Sequence, residues 1–230
     1  MNEQRYIRQI SMPEIGIEGQ LCLSRARVLI VGVGGLGAPI ALYLAAAGVG
    51  RIGIVDDDCV SLSNIQRQII YDEKQVGAPK VKCAAERLRA LNEDVCVVEY
   101  NCRLTADNAE AIIADYDYVV DGCDNYATRY VIDSVCSRLK IPYVYGAIGS
   151  LEGQVAVFAY RSACTYSRLY PCMPNSESDK LNSVMGSTPA IVGTIMAHQV
   201  LQLICGFGSP LVDTLMIIDL RSLEFNKIRL

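Results

Sequence analysis

The sequence contains ten cysteines but lacks any pair of them separated by two residues. Its first ten residues, MNEQRYIRQI, also lack the apolar segment of a secretory signal peptide. Disulfide frameworks occur mainly in secreted proteins, and cysteine pairs at this spacing are typical of zinc or redox sites. The two absences therefore predict reduced thiols in a cytoplasmic protein, most of them packed as small apolar side chains.

The chain also lacks an excess of positive charge, with 21 Lys and Arg against 25 Asp and Glu and a formal net charge of -4. A nucleic-acid binder or an acidic-membrane binder needs a surplus of cations on one face. We therefore expect neither nucleic acid nor a membrane as a partner. The 230 residues are 51% hydrophobic and contain no internal repeat, which favours a single globular domain, 1–230.

One uncharged run, 28–50, is 23 residues long and could cross a bilayer by length alone. Its six glycines and one proline cluster around a turn, however, and divide it into a short β-branched run and a longer run of Ala and Leu. The run is better explained as a buried strand followed by a crossover helix.

Strand and helix patterns alternate through the first two thirds of the chain. This order predicts an α/β fold with a Rossmann-like mixed, mainly parallel sheet, helices on both faces and antiparallel strands in the C-terminal half. The predicted strands are 27–31, 51–55, 95–100, 118–121, 142–146, 154–160, 214–220 and 224–230. The predicted helices are 16–26, 36–47, the one after Pro79, 106–114, 126–139 and 190–205, with a polar loop at 161–187.

Four glycines, Gly32, Gly34, Gly35 and Gly37, follow the first strand and open a helix. Glycine permits the tight turn and lets backbone N–H groups approach phosphates. Asp56 ends the second strand, 19 residues after Gly37, where its carboxylate can accept both ribose hydroxyls. This pattern predicts a nucleotide site but fits NAD as well as ATP.

Polar residues after the second and fourth strands distinguish an ATP site from an NAD site. Asn64 and Arg67 follow the second strand, Lys80 stands at a helix N-terminus, and Asp124 follows the fourth strand. Cations and one carboxylate at the carboxyl edge of a sheet are typical of a magnesium–triphosphate site, in which Asp124 holds the metal.

The segments RYIRQI (5–10), VGVGGLG (31–37), DDDCVSLSNIQRQ (56–68), VGAPK (76–80) and DGCDN (121–125) together resemble the signature set of the MoeB/ThiF/HesA family. These are adenylating enzymes related to ubiquitin activators. The resemblance runs in order over almost the whole chain. It implies a homodimer that binds Mg-ATP and the C-terminal Gly-Gly tail of a small ubiquitin-fold sulfur carrier protein, and that adenylates this tail in thiamine, molybdopterin or related thio-cofactor synthesis.

The resemblance also implies roles for individual residues. Arg67, Lys80, Asp124 and, from the neighbouring subunit, Arg8 would be catalytic, with magnesium on Asp124. The expected nucleotide contacts are Gly32, Gly34, Gly35, Gly37, Asp56, Asp58, Ser63, Asn64, Gln66, Arg67, Lys80, Asp124 and Asn125. The chain would comprise a helical arm (1–26), a nucleotide-binding part (27–150) and a carrier-binding part (151–230) with a crossover loop (161–187).

The chain departs from the family pattern at its cysteines. Many members bind zinc with two C-x-x-C pairs, but the first place here reads Cys164-Thr-Tyr-Ser167 and the second pair is missing, so no zinc is expected. Some members also use a loop cysteine as a nucleophile, and Cys172 is a weak candidate. We expect adenylation without a covalent step, a packing role for Cys123, and a core or dimer-interface position for the one histidine, His198.

Three alternatives remain open from the sequence. An NAD(P)-dependent oxidoreductase would use the glycine turn and Asp56 but would leave Arg67, Lys80 and Asp124 without a shared task. A non-catalytic docking homologue would keep the nucleotide site only to recruit a carrier. An ATP-dependent tRNA dehydratase would require a basic surface that the net charge does not indicate.

Overall fold

Short runs rich in valine and isoleucine form the strands at the centre of the molecule. The computed structural model describes residues 3–173 and 183–230. Its strands are β1 (Arg27–Val31), β2 (Arg51–Val55), β3 (Cys96–Tyr100), β4 (Tyr118–Asp121), β5 (Tyr143–Ile148), β6 (Glu152–Phe158), β7 (Thr214–Asp219) and β8 (Glu224–Arg229). The last four residues of β1 and of β2 are buried, as expected for parallel strands covered on both faces.

Helices connect these strands and cover the sheet. They are α1 (Glu3–Ile10), α2 (Gly16–Arg25), α3 (Gly37–Ala47), α4 (Leu62–Ile65), α5 (Lys80–Leu91), α6 (Ala109–Ile113), α7 (Tyr126–Leu139), α8 (Tyr166–Leu169) and α9 (Ser187–Cys205), with a 3-10 turn at Glu73–Gln75. Helix α3 ends at Gly48, whose φ of 85° is the left-handed conformation that commonly closes a helix.

The strands form one sheet in the order β3-β2-β1-β4-β5-β6-β7-β8. Strands β1 to β5 pair in parallel, whereas β5–β6, β6–β7 and β7–β8 are antiparallel. The predicted mixed, mainly parallel α/β sheet is therefore confirmed. Strand β1 lies between β2 and β4, so the order of the strands reverses beside β1, which is where open α/β sheets bind their ligands.

Apolar side chains fill both faces of the sheet. Val28 and Ile30 of β1 belong to one buried cluster, and Leu29 and Val31 belong to the other, because successive side chains of a strand point to opposite faces. The uncharged run 28–50 is β1, a turn and α3, as predicted.

Helix α9 is long and apolar enough to cross a membrane by length and composition, and it is the one such helix in the described part of the chain. Its residues Val192, Met196 and Val200 are nevertheless fully buried in the cluster that also contains α3 and one face of the sheet. This burial is typical of the core helix of a globular domain.

Several element boundaries differ from the prediction by one to three residues, as in β5, β6 and α9. Helix α6 begins at Ala109 instead of 106, because Asn108 accepts a hydrogen bond from the Thr105 N–H at 2.8 Å and closes a turn first. The predicted loop 161–187 contains α8, which Thr165 caps by accepting from the N–H of Arg168. Residues 174–182 of this loop lie outside the described chain.

The predicted core position of His198 is wrong, whereas its other predicted position, at a dimer interface, stays a prediction. The side chain is exposed on α9 and meets the ring of Phe207 edge-on at 5.8 Å between centroids. The buried positions of this helix lie on its other faces, which the helical period assigns to residues such as Met196 and Val200.

Candidate functional site

A cleft of about 1090 Å³ opens at the carboxyl edge of the parallel strands, where β1, β2 and β4 end. Most of the predicted nucleotide residues line it, namely Gly32, Gly34, Gly35, Asp56, Asp58, Arg67, Lys80, Asp124 and Asn125. The fold thus brings together residues from four separate segments of the sequence. Arg67, Lys80 and Asp124, on which the sequence-based hypothesis rests, face one space.

The glycine turn lets the ends of β1 and β4 approach each other. Gly32 has a φ of 88°, and a Cβ there would lie 2.6 Å from the carbonyl oxygen of Gly122. A Cβ on Gly37 would lie 2.0 Å from the carbonyl oxygen of Gly32. Gly37 is buried and does not line the cleft, so it acts here as a packing residue that lets α3 start close to the turn.

Arg67 lies beside the open part of this turn. Its Cδ is 3.7 Å from the position of a Cβ on Gly35, and its Nη1 donates to the carbonyl of Ser63 at 3.1 Å. This hydrogen bond links the Arg67 side chain to the backbone of the short helix α4 and orients the guanidinium. A cation is therefore placed next to the backbone that the sequence predicts to meet phosphates.

Asp56 ties the end of β2 to the glycine turn. Its Oδ2 accepts from the N–H of Val33 at 2.8 Å, and its Oδ1 accepts from the N–H of Asp58 at 2.9 Å. Burial raises the pKa of Asp56, and the nearby Lys80 ammonium only partly opposes this shift. Each carboxylate oxygen keeps a second lone pair, so the group can still accept ribose hydroxyls from the cleft.

Lys80 is the first residue of α5, and it lines the cleft. Its Nζ lies 2.6 Å from Oδ2 of Asp58. An ammonium has three donors, so the bond to Asp58 leaves two for other oxygen atoms. The pair holds a buried positive charge at the wall of the cleft, where it can stabilise anionic phosphate oxygens.

Asp124 and Asn125 follow β4 on the opposite wall. Asp124 is exposed to the cleft and forms no hydrogen bond or ion pair with any residue in 3–173 or 183–230. Asn125 caps α7, because its Oδ1 accepts from the N–H of Thr128 at 2.9 Å. The Asp124 carboxylate is therefore available to a hard cation, which prefers oxygen ligands.

A cluster of three aspartates at the end of β2 is a second candidate for binding a metal ion. The carboxylate oxygens of Asp56, Asp57 and Asp58 lie within 4.8 Å of one another, and no other group of three or more potential ligands occurs in the described chain. Two of these carboxylates already accept bonds from backbone N–H groups or from Lys80. Asp124 is thus the better fit to a metal, whereas the expected absence of zinc stays a prediction.

The structure does not place every predicted residue on the cleft wall. Ser63, Asn64 and Gln66 lie on or next to α4 but do not line the cleft, and they build the turn that carries Arg67. Arg8 is exposed at the last turn of α1 and does not line this chain's own cleft. The nucleotide contacts of these four residues, including that of Arg8 across a dimer, stay predictions.

Several cleft residues were not predicted from the sequence, and Arg129 is one of them. Arg129 donates from Nε to Oδ2 of Asp121 at 3.0 Å and from Nη2 to the carbonyl of Cys123 at 2.9 Å, and both charged side chains are buried. Tyr143 donates to the same Oδ2 at 2.9 Å. The eight-residue spacing of this pair carries no signal by itself, because the contact requires α7 to pack back against the end of β4.

Gln68 is another cleft residue that was not predicted. Its side chain is buried, and its Nε2 lies 3.4 Å from the position of a Cβ on Gly34. Its Oε1 is buried and has no hydrogen-bond partner among the described residues. Gln68 also lines the cleft. An unpaired buried acceptor at this place fits a bound ligand that donates a hydrogen bond. The sequence feature that could have identified Gln68 is its position at the end of the SNIQRQ segment, 63–68.

The far half of the cleft is built from aromatic and small residues of the C-terminal part. Gln154 on β6 accepts at Oε1 from the hydroxyls of Tyr145, at 3.1 Å, and Tyr170, at 2.5 Å. Gly149 leaves open space beside them, whereas a Cβ on Gly153 would lie 2.3 Å from Cγ2 of Val192. With its acceptor occupied by two phenols, the Gln154 amide presents its NH2 donors to this space.

The cysteines near the site differ in their surroundings. Cys123 is buried, donates from Sγ to Oδ1 of Asp121 at 2.8 Å, and has its pKa raised by burial. This confirms its predicted packing role. Cys172 is exposed and does not line the cleft.

The chain is similar over nearly its whole length to proteins of one known family. The ThiF family profile matches residues 6–230. The chain is 43% identical over 232 residues to a sulfur carrier protein adenylyltransferase of Thermus thermophilus, covering 97% of this chain and 86% of that protein. It is 42% identical over 229 residues to adenylyltransferase and sulfurtransferase MOCS3-1 of Zea mays, covering 98% of this chain but 49% of that protein.

The chain therefore spans about half the length of the maize relative. Among solved structures, E. coli MccB with ATP has the same fold, with a TM-score of 0.86 and 20% identity over 99% of this chain and 72% of that chain. Because the family profile covers nearly the whole chain and the Thermus relative is so similar, the chain belongs to the ThiF family.

Proposed function

We propose that this protein transfers AMP from ATP to the C-terminal carboxylate of a small ubiquitin-fold sulfur carrier protein ending in Gly-Gly. The observation that carries the proposal is the meeting of the glycine turn, Asp56, Arg67, Lys80 and Asp124 in one cleft. The names of the Thermus and maize relatives supply the reaction class, and that of the Thermus relative supplies the carrier. The pathway would be thiamine, molybdopterin or related thio-cofactor synthesis.

The reaction needs no general base, because a C-terminal carboxylate is already an anion at neutral pH. A carboxylate oxygen attacks the α-phosphorus of ATP. The bond from this phosphorus to the oxygen bridging to the β-phosphate then breaks, and pyrophosphate leaves with the electron pair. The protein must hold two anions in line and stabilise the leaving group, which Arg67 and Lys80 can do through fixed positive charge.

Magnesium would bind at Asp124, whose carboxylate has no other partner among the described residues. The ion would neutralise charge on the triphosphate. Asn125, already fixed as the cap of α7, would lie beside it. This assignment makes magnesium dependence a direct test of the role of Asp124.

The carrier tail would enter the far half of the cleft, in the part formed by 151–230. Gly149 borders open space that leaves room for an extended Gly-Gly tail, and Gln154 offers donors to the carbonyl groups of this tail. We also propose that the protein is a cytoplasmic homodimer in which Arg8 reaches the phosphates of the neighbouring subunit, and that it works without zinc.

Exchange of labelled pyrophosphate into ATP tests the proposal. The purified chain should catalyse exchange only with Mg2+ and a carrier ending in Gly-Gly, and a carrier lacking these two glycines is the matched control. No exchange with the thiamine or molybdopterin carriers, despite protection against thermal unfolding by Mg-ATP, would favour a docking protein. Protection by NAD(P) instead of ATP would favour an oxidoreductase, and carrier-independent turnover on tRNA would favour a dehydratase.

A further inference from the structure

A second cavity, of about 660 Å³, lies at the edge of the sheet opposite the cleft. Its walls come from residues that precede β4 and β5, from the end of α7, and from the segment 159–165 that follows β6. In the described part of the chain it shares no lining residue with the nucleotide cleft. A ligand bound here would therefore not compete directly with ATP.

The cavity wall contains two cations that form no ion pair with any described residue. Lys140 and Arg161 line it, and neither forms an ion pair with any residue in the described ranges. The guanidinium of Arg161 lies over the ring of Tyr160 at 5.2 Å from the centroid. The carboxylate of Asp117, also in the wall, is already bound by Arg27 at 2.7 Å. The Asp213 carboxylate accepts a hydrogen bond from the hydroxyl of Ser162 in the wall. Two cations outside any ion pair in the described ranges thus stand against one such acid, and the remaining positive charge favours an anionic ligand.

Hydroxyl groups supply unused donors in the same space. The Oγ of Ser137 is buried and has no hydrogen-bond partner within the described chain. Burial, with Tyr160 nearby, raises the pKa of Tyr118, so its phenol keeps its proton at neutral pH. A buried hydroxyl without a partner is unfavourable unless a ligand or an ordered water satisfies it.

The backbone around the cavity is strained. Lys140, Ala159 and Arg161 have φ values of 56°, 56° and 52°, in the left-handed region that residues other than glycine seldom adopt. They are three of the five such non-glycine residues in the described chain, and all three line this cavity. Lys140 is the C-cap residue of α7, where this conformation is common, whereas Ala159 and Arg161 lie in the segment after β6. Backbone strain at such residues is found at ligand sites when the surrounding structure holds it in place.

We propose that this cavity binds a small oxyanion, with inorganic phosphate as its simplest form. Lys140 and Arg161 would supply charge, and Ser137 and Tyr118 would donate hydrogen bonds to its oxygens. The proposal does not depend on the proposed adenylation reaction, because it concerns a different edge of the sheet.

Phosphate titration of the full, ¹⁵N-labelled chain tests this site by NMR. The cleft is first filled with a non-hydrolysable ATP analogue and Mg2+. We expect phosphate to shift the amide signals of 137–141 and 159–165. In the double variant Lys140→Asn/Arg161→Asn, which keeps a residue that tolerates positive φ, the phosphate Kd should rise at least about tenfold. Ser137→Ala, which removes one hydroxyl, should raise it by about threefold.

The control variant Arg87→Gln/Arg138→Gln removes the same charge from surface positions outside both cavities and should leave the Kd unchanged. A parallel titration with AMP shows whether the cavity binds the phosphate group of a nucleotide or free phosphate. Binding of either one in this cavity supports the proposal. Equal phosphate Kd values for both double variants, or shifts confined to the glycine turn, would overturn it. The shifts map the site even if the ATP analogue fails to bind.

Discussion

The ammonium of Lys80 lies 2.6 Å from the carboxylate of Asp58 at the wall of the nucleotide cleft, with the lysine side chain 5% exposed and the aspartate 68% exposed. The buried cation is thus held by an acid that solvent can reach. This arrangement positions a positive charge for the triphosphate without leaving it unpaired in the free protein.

Replacement of Lys80 by Met should lower the rate of carrier-dependent pyrophosphate exchange by about 10²- to 10³-fold, because a preorganised charge on the phosphates is lost. Lys82→Met is the matched control, since Lys82 lies on the same helix but is exposed and outside the cleft. An equal loss in both variants would argue against a specific role for Lys80.

Asp124→Asn should raise the Mg2+ concentration needed for half-maximal exchange, because an amide is a weaker ligand than a carboxylate. Exchange rates measured across a magnesium titration, at saturating ATP, report this shift. Asp107→Asn removes an exposed carboxylate outside the cleft and serves as the control. A lower maximal rate with an unchanged magnesium midpoint would rule out Asp124 as the metal ligand.

Arg129→Met should destabilise the fold by about 3 to 5 kcal/mol, because it leaves the buried Asp121 carboxylate without its cation. Urea denaturation gives the free energy of unfolding. The control Arg138→Met breaks the exposed pair with Glu110 and should cost less than about 1 kcal/mol. Similar costs for the two variants would mean that the Asp121 charge finds another partner.

Gln154→Ala should raise the KM for the carrier by about tenfold and leave the KM for ATP unchanged, because the amide lies in the half of the cleft assigned to the tail. Tyr170→Phe keeps the ring but removes one of the two hydroxyls that orient Gln154. It should therefore give a smaller change of the same kind. A rise in the KM for ATP in either variant would place the nucleotide there instead.

Iodoacetamide at pH 8 should modify Cys172 and leave Cys123 unmodified in the folded protein. Burial raises the pKa of the Cys123 thiol above its usual value, so the thiolate that reacts is scarce at this pH, and the reagent cannot reach it. Mass spectrometry before and after unfolding in urea gives the modified positions. Rapid modification of folded Cys123 would contradict the structure.

Cys172→Ala should also keep carrier-dependent exchange within about twofold of the unchanged protein, since Cys172 lies outside the cleft. A covalent adduct between carrier and protein that forms with Cys172 and disappears in the variant would show that the reaction continues beyond adenylation.

Local patterns predicted much of this molecule. The strand Arg27–Val31, the helix Tyr126–Leu139 and the Gly32–Gly37 turn were identified correctly because apolar periodicity and glycine clusters depend on neighbours in sequence. Boundaries were less secure where a side chain closes a turn first, as Asn108 does before α6. The sequence could not decide between a core and a dimer-interface position for His198, because an apolar helix does not reveal which of its faces meets the sheet.

The sequence by itself determined the residue types of the site: a glycine turn, Asp56 at the end of a strand, and Arg67, Lys80 and Asp124 within reach of the sheet edge. Only the tertiary structure decided their pairing, because contacts such as Lys80–Asp58 and Arg129–Asp121 depend on which strands are neighbours and on how a helix returns to the sheet. The opposite cavity arises in the same way, since Lys140, which precedes β5, and Arg161, which follows β6, line one space only when these two strands pair.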